Sequence, residues 1–110
     1  MVNPFRGEVA IILDGETCKM RLSLGALATL EQRLGVEGLL PLIERFENSA
    51  FKAEDMIVLL FAGLQGAGWD GTEDDLRNST IEGGPMEAAR VAAALLRVTF
   101  SLPSGPVEAA

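Results

Sequence analysis

The residue types that most often carry chemistry are scarce in this sequence. It contains no histidine and no tyrosine, and its single cysteine is Cys18. Histidine is the commonest general base and metal ligand, and a zinc site needs several Cys or His side chains. Without a histidine to activate it, Cys18 is expected to be a small hydrophobe in the core. We therefore predict no catalytic residue, no metal ion, no cofactor and no enzymatic activity.

Two acidic segments and one glycine-rich segment have patterns that ligand-binding sites also use. Residues 73–75 lack the alternating spacing of an EF-hand loop. Like the acidic pair at 54 and 55, they fit the first turn of a helix, where negative charge complements the helix dipole. Glycines 66, 68 and 71 have Gly-x-Gly-x-x-Gly spacing, but they follow a predicted helix instead of a strand. We interpret all three segments as local structural features.

The charge balance and the hydropathy pattern restrict the classes of partner. The chain has 16 acidic and 9 basic residues, a formal net charge of −7, so it would repel phosphate groups. The basic residues are scattered, and no apolar run approaches the ~20 residues of a membrane span. Neither nucleic acid nor a membrane is an expected partner.

The absence of a signal-peptide pattern and of paired cysteines predicts a cytoplasmic location.

Two aromatic residues are candidates for contact with a partner protein. Phe51 and Trp69 both lie in predicted connecting segments, and large aromatic side chains dominate the energetics of many interfaces. The alternative is that both side chains fill the core, where aromatic residues also contribute much of the packing. The sequence leaves these two interpretations open.

The clearest structural signal is a β-hairpin around Asp14 and Gly15. An Asp-Gly pair between alternating apolar and polar runs is typical of a type I′ turn, which requires positive φ at both positions. The turn places Glu8 opposite Arg21. It also places side chains of one face in a common apolar layer, namely Val9, Ile11, Leu13, Cys18, Met20 and Leu22. A free hairpin edge can pair with a neighbour, so a homo-oligomer is one expectation.

The rest of the chain predicts helices. Ser23 and Thr72 are candidate N-caps, Gly35 is a candidate C-cap, and Pro85 suits a first helical turn. The five predicted helices run from Ser23 to Gly35, over about 38–46, from about 53 to 65, from Thr72 to about Thr80, and from Pro85 to about Phe100. The predicted fold is α+β, with an N-terminal antiparallel β-hairpin packed on about five α-helices. Residues 1–102 would form a single domain and residues 103–110 a disordered tail.

An ordered series of short segments resembles a small family from gene transfer agents and related prophages of alphaproteobacteria. The segments are NPFRGEV at 3–9, LDGE at 13–16, LSLGAL at 22–27, LE at 30–31, ED at 54–55, LL at 59–60, GL at 63–64 and IEGGP at 81–85. Members of this family are described as tail assembly chaperones and, in some places, as tail tube components. The family supplies no catalytic residues.

The resemblance implies a non-enzymatic tail assembly chaperone that transiently binds the tape-measure protein during tail morphogenesis. The alternative is a structural tail tube component that stays in the gene transfer agent particle. Expected partners are the tape-measure protein, tail tube subunits and further copies of this chain. A regulatory or toxin-neutralising protein encoded beside the tail genes is a further alternative.

Overall fold

The computed structural model describes residues 7–48 and 51–100. In this part of the chain, two strands precede five helices, which confirms the predicted α+β fold. The elements are β1 (Glu8–Leu13), β2 (Glu16–Arg21), α1 (Leu24–Leu34), α2 (Leu39–Glu47), α3 (Ala53–Gly66), α4 (Glu73–Arg77) and α5 (Gly84–Phe100). The predicted tail at 103–110 lies outside the described residues.

The hairpin forms with the predicted turn and register. Asp14 has φ of 51° and Gly15 has φ of 85°, as a type I′ turn requires. Glu8 pairs with Arg21, and the pairing continues in the predicted register to the turn. Ile11, Leu13 and Met20 are buried, so the apolar face of the hairpin packs into the core.

Cys18 departs from the prediction of a core position. Its side chain is half-buried and packs against the edge of the core. It faces a surface depression that Trp69 and Asn78 also line. The thiol donates a weak hydrogen bond to the carbonyl oxygen of Glu16 at 3.7 Å.

A short segment after α4 pairs with the outer edge of β1. Ile81 forms a β-bridge with Leu13, and the Glu82 N–H donates to the carbonyl of Ile12 at 3.1 Å. The Asp14 N–H donates to the carbonyl of Thr80 at 2.8 Å, and the Thr80 N–H donates to Asp14 Oδ1 at 2.9 Å. The prediction that α4 reaches Thr80 is therefore wrong. The helix ends at Arg77 because the following residues turn to join the hairpin.

The other helix ends follow the predicted capping chemistry. Ser23 Oγ accepts from the N–H of Ala26 at 3.0 Å, and Gly35 ends α1 with φ of 67°. Thr72 and Asp75 form a reciprocal capping box at the start of α4. These bonds satisfy backbone groups that a helix end would otherwise leave without partners.

Helix α3 is the centre of the core. It packs against β2, α1, α4 and α5, while α5 also covers β1 and α2. Its six buried residues are Val58, Leu59, Leu60, Ala62, Gly63 and Leu64. The apolar run at 56–61 therefore forms the central helix that its composition predicts.

Two glycines let the backbone of α3 approach β2 closely. A Cβ atom on Gly63 would lie 2.6 Å from Leu95 Cδ2 and 3.1 Å from Met20 Cβ. A Cβ atom on Gly66 would lie 1.9 Å from the carbonyl oxygen of Arg21, which belongs to the backbone and cannot rotate away. Any larger residue at Gly66 must therefore move the helix or the strand.

The Gly66→Ala variant should be less stable by about 1–3 kcal/mol, the usual cost of overpacking a core contact. Urea unfolding followed by circular dichroism measures the change. Gly25→Ala is the matched control, since a Cβ there would have no neighbour closer than 4.0 Å. In the control, the better helix propensity of alanine should raise stability by up to about 1 kcal/mol. Equal effects of the two substitutions would contradict the assigned contact.

The Asp14→Ala variant should lose about 1–2 kcal/mol, because alanine is strained at positive φ and cannot accept the Thr80 hydrogen bond. Asp14→Asn retains both the acceptor oxygen and the tolerance for this conformation, so we expect a change of roughly 0.5 kcal/mol or less. Thermal unfolding of both variants checks the prediction. A loss in Asp14→Asn as large as in Asp14→Ala would contradict it.

Candidate functional site

Trp69, one of the two predicted anchors, lies half-buried against α3. Its ring meets the ring of Phe61 edge-on, with centroids 6.3 Å apart and an angle of 81° between the planes. Its backbone N–H donates to the carbonyl of Leu64 at 2.9 Å. A Cβ on Gly71 would lie 2.4 Å from the indole, so the glycine-rich loop lies directly over the ring. The loop at 66–71 thus ends α3 and folds Trp69 back onto it.

Phe51, the second predicted anchor, is also half-buried. Its ring stacks on the ring of Phe46, with centroids 4.9 Å apart and planes 16° from parallel. Both anchors contact the core while keeping part of their surface exposed. Their role in binding a partner stays a prediction.

The Cys18 thiol lies in a setting that disfavours reaction. Burial, and secondarily the carboxylate of Glu16, raise the pKa of this thiol above its usual value. The thiolate is the reactive form of cysteine, and a raised pKa keeps the thiol protonated at neutral pH.

The acidic residues near α4 are matched by arginines. Arg33 Nη1 lies 2.8 Å from Glu73 Oε1, and Arg77 Nη2 lies 2.6 Å from Glu54 Oε2 and 3.0 Å from Glu73 Oε2. The hydrogen bond from Arg33 is the largest influence lowering the pKa of Glu73. This cluster joins α1, α3 and α4.

Across residues 7–48 and 51–100, no three Cys, Asp or Glu side chains are grouped so that they could hold a metal ion.

An apolar groove runs between the first half of α3 and the start of α5, and we name it the α3–α5 groove. Its volume is about 370 Å³. Its apolar lining comprises Ala53, Met56, Ile57, Leu60, Leu76, Ile81, Pro85 and Ala88. Met56 and Ile57 are half-buried in the isolated chain. The sequence predicts that α3 is apolar on nearly every side, but it does not predict this groove, which forms only where α3, α5 and the segment before α5 pack together.

Three large apolar side chains extend into solvent within the described residues. Leu24 is 84% exposed, Met86 is 83% exposed and Leu40 is 64% exposed. Met86 follows Pro85 in the first turn of α5, so it adds apolar surface beside the α3–α5 groove. Exposed apolar surface next to a groove is typical of sites that contact other proteins.

The helices of the described part of the chain are too short or too polar to cross a lipid bilayer. The described residues offer apolar and aromatic contact surfaces, and the ion pairs around Glu73 join α1, α3 and α4.

Comparisons with known proteins identify the family. Neither the curated proteins nor the solved structures include a match to this chain. One family model, described as phage tail tube protein, GTA-gp10, matches residues 6–102. The match covers both strands and all five helices described above, and it confirms the resemblance to gene transfer agent tail proteins. The chain belongs to this family of phage tail tube proteins.

Proposed function

We propose that the protein is a structural subunit of the tail tube of a phage-like gene transfer agent particle. It would bind other proteins and catalyse no reaction. The observation that carries the proposal is the family match over residues 6–102, because the family description names a tube protein.

This proposal reverses the order of the two functions inferred from the sequence. The resemblance placed a transient chaperone of the tape-measure protein first and a retained tail component second. The family description favours the retained component and does not mention a chaperone. Binding of the tape-measure protein stays a prediction. The location of the protein in the host cytoplasm before assembly also stays a prediction.

The surface of the molecule supports a role in protein contacts. Leu24 and Met86 are almost fully exposed, and the α3–α5 groove is lined mostly by apolar side chains. A subunit of a tube buries such surfaces against neighbouring subunits. The net charge of −7 also disfavours stable binding of the tube subunit to nucleic acid phosphates.

Quantitative mass spectrometry of purified particles tests the proposal. We expect this chain at a copy number comparable with that of the most abundant tail proteins, because a tube consists of many repeated subunits. The peptide signal from a capsid protein of the same particles supplies the reference. A chain that is abundant in the producing cells but missing from the particles would overturn the structural function.

Co-expression with the tape-measure protein, followed by pull-down, tests the chaperone alternative separately. A tube subunit should leave the solubility of the tape-measure protein unchanged in the absence of other tail proteins. If the tape-measure protein becomes soluble only with this chain, and the chain is missing from particles, the chaperone function replaces our proposal.

A further inference from the structure

We propose that residues 72–82, which we name the α4 strap, detach and reattach as one unit while the hairpin, α3 and α5 stay folded. The strap comprises α4, its N-cap and the segment that pairs with β1. Its opening uncovers the β1 edge and removes one wall of the α3–α5 groove at the same time. The inference concerns a motion of the fold and does not depend on the proposed tube function.

Glycines lie on both sides of the strap. Gly68, before it, has φ of 95°, and a Cβ atom there would meet no atom within 4 Å. Gly83 and Gly84, after it, have φ of 90° and 73°. Glycine adopts backbone conformations that are unfavourable for other residues, so the chain can change direction at both sides of the strap. The strap can therefore move without a movement of α3 or α5.

The strap contributes little to the apolar core. Leu76 is the only buried residue within 72–82, and Ile81 is half-buried. Helix α4 packs mainly on α3, which itself has six buried residues. Segments with few buried apolar contacts open at a free energy below that of global unfolding. We therefore expect the strap to open before the core does.

Ion pairs hold the first part of the strap against two other helices. Glu73 accepts two hydrogen bonds from Arg33 of α1, at 2.8 and 3.3 Å. Arg77 Nη2 lies 2.6 Å from Glu54 Oε2 of α3. The side chains of Arg33 and Arg77 are 41% and 37% exposed, so water can solvate these groups when the strap detaches. The ion pairs thus form a reversible attachment.

The parts of the strap depend on one another. Helix α4 has only five residues, and a helix of this length is unstable in water without its packing partners. Ser79 couples it to the segment that pairs with β1, because its hydroxyl donates to the carbonyl of Asp75 at 2.6 Å and its N–H donates to the carbonyl of Leu76 at 3.1 Å. Detachment of α4 would therefore also release the hydrogen bonds between Thr80 and Asp14.

Opening of the strap changes two surfaces at once. The β1 edge at Ile12 and Asp14 loses its backbone partners, and an unpaired strand edge is a template for association. The α3–α5 groove loses the wall that Leu76 and Ile81 form, so Ile57 of α3 becomes more exposed. The strap therefore controls whether a strand edge and an apolar helix face are available to another protein.

Amide hydrogen exchange of the full chain, resolved for each residue by NMR, tests the inference. The N–H groups of Leu76, Thr80 and Glu82 should exchange with one common opening constant after correction for their intrinsic rates. The N–H of Asp14 should share this constant, because it belongs to the hairpin but donates to the strap. Interior N–H groups of α3 should be protected at least about 10-fold more strongly, since their opening requires loss of the core.

Glu73→Gln removes the ion pair between the strap and α1, so it should raise the opening constant of the strap about 2- to 5-fold, the range that one partly exposed ion pair supports. Asp74→Asn is the matched control. Asp74 lies in the same first turn of α4, is exposed and forms no ion pair within the described residues. It therefore reports the loss of one negative charge near the helix start without the loss of an attachment.

Salt supplies a second measurement that needs no substitution. In 1 M NaCl, screening of the ion pairs should raise the opening constant of the wild-type strap toward that of Glu73→Gln. The variant should respond less, because it has already lost one of the screened pairs. Circular dichroism melts establish that each variant is folded.

Strap amides that exchange only with global unfolding would overturn the inference. Different opening constants for Asp14 and Leu76 would also overturn it, because they would show that the two ends of the strap open independently. Equal effects of Glu73→Gln and Asp74→Asn, or a strap that does not respond to salt, would contradict the attachment by ion pairs.

Discussion

The close contact between α3 and β2 is the constraint on which the rest of the structure depends. A two-stranded hairpin is only marginally stable by itself, so it needs a surface to pack on. Gly63 and Gly66 allow the helix backbone to lie almost directly on Met20 and on the Arg21 carbonyl. With the helix at this distance, Leu95 of α5 also reaches the same contact. The hairpin, the central helix and the last helix therefore share one core.

The second constraint is the pairing of residues 80–82 with β1. An unpaired strand edge is a template for unwanted association, and this segment covers the β1 edge near the turn. It also determines where α5 begins, because Gly84 follows within three residues of the β-bridge at Ile81. The α3–α5 groove is a product of this arrangement, since Ile81 and Pro85 form part of its lining.

Local chemistry predicted much of the fold, and tertiary contacts account for what it missed. The Asp14-Gly15 turn, the Ser23 cap and the Thr72 capping box depend on residues within a few positions of each other, so the sequence reveals them. The end of α4 depends on the hairpin about 65 residues earlier, and no local signal marks it. The half-exposure of Cys18 likewise depends on where Trp69 and Asn78 fall. For the candidate site, the sequence predicts Phe51 and Trp69 as anchors, which stays a prediction, but it does not predict the groove, because a groove exists only between packed elements.

The pairing between the hairpin turn and Thr80 has a consequence for biosynthesis. Contacts between residues 66 positions apart in sequence cannot form until the second partner has left the ribosome. At bacterial translation rates this interval lasts on the order of several seconds, during which the apolar face of the hairpin has no complete core to cover it. Nascent chains would then be most prone to aggregate before α5 emerges. The speed at which ribosomes pass through the region from α3 to α5 would therefore influence how much folded protein a cell obtains.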